Sequence, residues 1–152
     1  MPIEKKPLIF DHLITYVISQ PKNNWQEGNF VMETLLLSHD IYRNGPIFFT
    51  YNEAVRNAET GNFTYFMPIN DSITFEKNGD FQYMDTFTVD NALVLRQAQE
   101  EPDFYAAYQK VKDYATENEI QLTETYYCVL LEVYGEYMID LYVPIKEEGY
   151  AS

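Results

Sequence analysis

Cysteine is nearly missing from this 152-residue chain. Cys128 stands alone, which excludes an intramolecular disulfide and suits a reducing compartment, so a cytoplasmic protein is expected. Positive charge is scarce as well: 10 Lys and Arg face 24 Asp and Glu, a net charge of −14. A field of that sign repels phosphate backbones and excludes nucleic acid bound through a basic face. It favours cationic ligands or a basic protein partner. Histidine occurs twice, at His12 and His39, and neither has cysteine or histidine neighbours at ligand spacing, so no metal is expected. With six glycines and no glycine-rich phosphate loop, no nucleotide cofactor is implied. No apolar run approaches the ~20 residues of a membrane span. The opening stretch Met1–Pro7 carries two lysines but no signal-peptide core, so neither membrane insertion nor an export signal is expected.

What is plentiful is aromatic: 14 Tyr, 10 Phe and one Trp. Tyrosine has a hydroxyl that needs a partner when buried, so it gathers in grooves and at half-wet surfaces. Ring faces beside carboxylates form the chemistry of a site for a lipophilic cation.

The chain also says one thing twice. Phe63–Ile69 and Ile139–Ile145 are alternating apolar strands closed by the same Pro-Ile pair. Each follows a strand-like run, Pro46–Asn52 and Thr125–Val133, and each of those follows a helical stretch, Asn23–Arg43 and Pro102–Asn118. Equivalent points lie about 76–78 residues apart, half the chain. Further strands are expected at His12–Ser19 and Ala92–Gln97. Gly45 would cap the first helix in a left-handed conformation, and Asn23 or Asn24 would cap its start. Pro102 would open the second helix, whose apolar stripe is Phe104, Ala107, Tyr108, Val111 and Ala115. The expected fold is α+β: duplicated β-α-β-β units forming one antiparallel sheet, two main helices on one face and a cleft on the other. A single domain is expected, with repeat one at about 8–69, a connector hairpin at 70–90 turning on Asn78-Gly79, and repeat two at about 91–146.

Side chains alternate along a strand, which sorts core from cleft. Ile47, Phe49, Tyr51, Phe63, Tyr65 and Met67 take the helix side of the first repeat. In the second, Ile139, Leu141 and Val143 do so, with Val129, Leu131 and Val133. The opposite face then carries Phe48, Phe66, Tyr126, Glu132, Asp140 and Tyr142, an aromatic and acid-bearing set of candidate ligand contacts. No spacing marks a catalytic pair, and Cys128 reads as a small apolar strand residue.

The order strand–helix–strand–strand, twice, with Gly45-Pro46 opening the second strand, resembles the GyrI-like small-molecule-binding family (the BmrR/Rob-type effector-binding domain). Tyr137–Ile145 is similar to the terminal strand of that family, with Asp140 four residues before the proline, and Tyr108–Glu119 to its second helix. The resemblance covers about residues 8–146. It implies a small-molecule pocket between two halves with a glutamate facing cationic drugs, for which Glu132 and Glu124 are both open, and a stand-alone member without a DNA-binding segment. Three functions follow: binding of a small apolar or cationic ligand; an acidic module that modulates a protein partner, such as gyrase, a toxin or a secreted substrate; or a weak hydrolase using a tyrosine and a glutamate.

Overall fold

A computed structural model describes residues 3–21, 24–39, 41–52, 60–75, 79–100 and 103–146. Six strands and two helices make up the described fold: β1 (Ile3–Pro21), α1 (Trp25–His39), β2 (Phe48–Asn52), β3 (Thr60–Pro68), β4 (Phe81–Leu95), α2 (Phe104–Glu117), β5 (Tyr127–Val133) and β6 (Glu136–Pro144). The chain divides into two compact units, Phe10–Phe87 and the two stretches flanking it. In the first unit β3 pairs with β1 on one side and β2 on the other; in the second β6 pairs with β4 and β5. All four pairings are antiparallel. The fold is therefore α+β, with the expected order of elements in each unit.

The repeated Pro-Ile ending has a structural reason. Proline offers no N–H, so a strand can end there at little loss to the ladder. The Pro68 carbonyl accepts from Asn44 N–H at 2.8 Å, and the Pro144 carbonyl from Thr123 N–H at 3.0 Å. Each following isoleucine donates back to the strand its own strand pairs with, Ile69 to the His12 carbonyl in β1 at 2.8 Å and Ile145 to the Asn91 carbonyl in β4 at 2.9 Å. Bridges Arg43–Ile69 and Leu122–Ile145 complete the same knot in both units.

Several expected boundaries move. The Arg43–Ile69 bridge draws the chain into an extended path, so α1 ends at His39 and Ile41 and Tyr42 leave the helical pattern. Gly45 is no left-handed cap, since Gly135 is the only described glycine with positive φ; an added Cβ at Gly45 would meet Pro68 and Phe10 at 3.1–3.2 Å. β1 begins at Ile3, well before the strand expected at His12, because its first half still alternates. β4 starts at Phe81, where the second arm of the connector hairpin is expected, and runs unbroken into the strand expected at Ala92. Ser72–Phe75 forms no strand. Asn23, Asn78, Pro102 and the loop at 53–59 lie outside the described residues. Asp103 caps α2, its carboxylate accepting from Ala106 N–H at 2.7 Å, and the helix buries Ala107, Val111 and Ala115 as its spacing predicts.

A two-residue loop, Tyr134-Gly135, joins β5 to β6 with φ of 52° and 80°, the left-handed pair a tight hairpin demands. Tyr134 is fully exposed, so its side chain gives nothing back for that conformation. Tyr134→Asn should raise stability by ~0.5–1 kcal/mol, recovering part of the roughly 1–2 kcal/mol left-handed penalty. A rise in the urea midpoint at unchanged slope is the expected reading.

In the first unit α1 lies against Tyr65, with Trp25 stacked on Phe49 at 6.2 Å. Phe48 and Phe66 sit on the other side of the same strands, directly paired, their rings 4.8 Å apart. Phe10 and Phe87 close over Phe48 at 5.5 and 5.0 Å. Both sides of this sheet are thus packed with rings.

Candidate functional site

The centre of β6 sets the site. Leu141 is fully buried and pairs with Leu95 of β4 and Cys128 of β5, so Leu95, Cys128 and Leu141 share one side. Ile139 and Leu130 join them there. The other side carries Asp140, Tyr142, Val129 and Tyr127, with Tyr127 directly opposite Tyr142.

Asp140 is 5% exposed. Arg96, immediately past β4, holds it through Nε–Oδ2 at 2.9 Å. The next residue, Gln97, donates its backbone N–H to Asp140 Oδ1 at 3.3 Å. Gln97 takes φ of 59°, a left-handed turn that costs a non-glycine residue on the order of 1–2 kcal/mol. Arg96 also reaches Glu4 (Nη1–Oε2, 3.6 Å), and Lys6 approaches the same Glu4 oxygen at 3.2 Å. Two acids and two bases thus surround the half-buried Tyr142. Burial pushes its phenol pKa up, the Asp140 charge adds to that, and Lys6 and Arg96 oppose it. Burial alone raises that of Tyr127. Both rings therefore stay neutral hydroxyl donors at ordinary pH.

Of the candidates read from sequence, Asp140 and Tyr142 come together here. Tyr126 does not: it turns to α2, buried with its ring 5.1 Å from Tyr108. Glu132 is exposed opposite Tyr137, on the side of Leu130 and Cys128. Phe48 and Phe66 lie in the first unit, buried against each other. Glu124 is exposed. The β5 assignment is corrected by one residue: Cys128 and Leu130, not Val129 and Leu131, share the side of Leu141. Tyr-Tyr-Cys-Val-Leu-Leu is apolar on both faces, so alternation cannot fix its parity, and a slip of one flips every side chain. The signal that could have done so is Tyr134-Gly135. A two-residue hairpin there sets Val133 opposite Glu136 and, counting back, Cys128 opposite Leu141. Sequence reading missed Tyr127, Arg96, Glu4 and Lys6.

Cys128 is fully buried, and burial pushes its thiol far above the ordinary range, so thiolate is scarce. Native protein should react with a thiol reagent at pH 8 at least tenfold more slowly than protein in guanidinium. Equal rates would place Cys128 at the surface. His12 contacts the Tyr83 hydroxyl at 2.5 Å. Among the described residues no three His, Cys, Asp or Glu side chains gather as a metal set, and no helix is long and apolar enough to cross a membrane.

Three antiparallel strands with their helix and the same closing knot, formed twice, give an α+β fold that matches GyrI-like effector-binding folds. The structure is similar to the crystal structure of the EcmrR C-terminal domain (TM-score 0.65, 13% identity, 97% of this chain and 100% of that one). It is equally similar to EcmrR in the cryo-EM structure of the EcmrR–DNA complex (TM-score 0.65, 11% identity), where it spans 96% of itself but 58% of the longer chain. SAV2435 bound to tetraphenylphosphonium follows at TM-score 0.51 and 11% identity, covering 96% of this chain and 94% of that one. At such identities the likeness is one of fold. The chain belongs to the family described as Domain of unknown function (DUF5085), which matches residues 14–148. No curated protein matches it.

Proposed function

We propose that this protein is a small-molecule-binding domain, acting in the cytoplasm, whose ligand is a largely apolar organic cation held at the Asp140–Tyr142–Tyr127 face of β5 and β6. The observation that carries the reading is a carboxylate 5% exposed beside two tyrosines that stand directly opposite each other. A buried carboxylate next to ring faces suits a delocalised cation, which gives up little hydration on entering. The fold neighbour SAV2435, in complex with tetraphenylphosphonium, supports that ligand class.

The test is a titration with tetraphenylphosphonium and with neutral triphenylphosphine oxide. A charge-assisted contact is worth roughly 1.5–3 kcal/mol, so Asp140→Asn should weaken the cation about tenfold to a hundredfold and spare the oxide. Glu132→Gln, exposed on the other side, should change neither. Equal affinities for wild type and Asp140→Asn would remove the electrostatic half of the reading. The net charge of −14 would then favour an acidic module for a basic protein partner.

A further inference from the structure

The two units provide an internal comparison at the site. Pro68 pairs with Leu13 and Pro144 with Ala92, so these positions correspond. Four residues before each proline stand Thr64 and Asp140; four residues after each partner stand Val17 and Arg96. In the first unit Val17 and Thr64 are directly paired and carry no charge, with Val17 61% exposed. In the second unit the same register position holds an ion pair at 2.9 Å.

The fold thus closes without charge there in one of its two copies. Nor does stability explain the pair. A carboxylate taken almost wholly out of water loses hydration that its partner at best offsets, and an apolar pair often serves equally well. Arg96 is also tied to Glu4, and its side chain is 40% exposed, so the residue borders water while its Nε is held inside against Asp140.

We propose, resting on the ligand face described above, that Arg96 is a specificity-determining surrogate for the ligand: its guanidinium occupies the place on Asp140 and Glu4 that a cation takes, and the ligand binds by displacing it. The fixed parts of the site suit that exchange. Asp140 keeps the Gln97 N–H, and Glu4 keeps Lys6 at 3.2 Å, when Arg96 leaves. A displacing cation must bring more than charge, because guanidinium already supplies charge. It must bury apolar surface on Tyr127 and Tyr142. Bulky delocalised cations meet that condition, and small, strongly hydrated ammonium ions do not.

The experiment titrates the full chain with tetraphenylphosphonium, tetramethylammonium and neutral triphenylphosphine oxide, using wild type, Arg96→Met, Arg96→Lys and Arg96→Met/Asp140→Asn. Arg96→Met should bind tetraphenylphosphonium at least tenfold tighter and the oxide within twofold of wild type. Arg96→Lys should fall between, since one ammonium cannot fork to both acids. Adding Asp140→Asn should abolish the gain, and tetramethylammonium should bind wild type at least a hundredfold more weakly than tetraphenylphosphonium. Unchanged or weaker tetraphenylphosphonium binding by Arg96→Met, with wild-type binding intact, overturns the surrogate role and leaves the ligand face standing. Absence of binding to any probe by any form overturns the ligand face and the surrogate together. Should circular dichroism show Arg96→Met unfolded, Arg96→Lys decides: a gain supports displacement and no gain overturns it.

Discussion

Leu141→Ala should lower the unfolding free energy by about 2–5 kcal/mol, the span for deleting a large, fully buried aliphatic side chain. Leu141 has no exposed surface and stands in the middle of β6, flanked across the sheet by Leu95 and Cys128. Both neighbours are held by strand ladders and cannot collapse onto the void, which favours the upper part of the range. Domains of this kind are stable by ~5–15 kcal/mol, so the loss is a large share of the total. Tyr142→Ala, one residue on and half-buried, should cost clearly less stability while removing a ring from the ligand face. Urea denaturation of both variants at constant slope gives the comparison. If Tyr142→Ala proved the more damaging, the sides assigned to β6 would be reversed.

Gly28→Ala should destabilise by about 1–3 kcal/mol, the usual cost of overpacking a filled core. In an exposed helix the same change would stabilise by ~0.5–1 kcal/mol, so the sign is diagnostic. Gly28 sits in the first turn of α1, where an added Cβ would lie 2.1 Å from the Tyr65 ring. That ring cannot step aside. It is fully buried, its hydroxyl accepts from Gln20 Nε2 at 3.0 Å, and it donates to the Trp25 carbonyl at 2.5 Å. Thermal unfolding of Gly28→Ala, Tyr65→Leu and the double variant closes a cycle in which the smaller side chain should recover part of the loss. A higher melting temperature for Gly28→Ala would mean that α1 does not approach β3 this closely.

Much of the frame was legible in the chain because local rules govern it. The Pro-Ile repeat marked the ends of β3 and β6, since proline lacks the donor a ladder needs. The stripe Ala107, Val111 and Ala115 marked the buried side of α2, since helical period is a property of the backbone. Alternation placed Phe49 and Tyr65 with α1 and left Phe48 and Phe66 opposite. The end of α1 was not legible, because the bridge from Arg43 to Ile69 outcompetes the helical pattern expected to run on to Arg43.

The candidate site divided the same way. By itself the sequence determined that Asp140 and Tyr142 share a side, because a period of two is fixed within one strand. It could not determine which side of β5 meets them. Tyr126 and Glu132 were therefore put with them, whereas the Tyr134-Gly135 hairpin brings Tyr127. Only tertiary structure decided that Arg96 and Glu4 surround Asp140, residues 44 and 136 positions away along the chain (96 and 4 against 140). A carboxylate selects its partner by distance and burial, and neither is written in the spacing of residues on different strands.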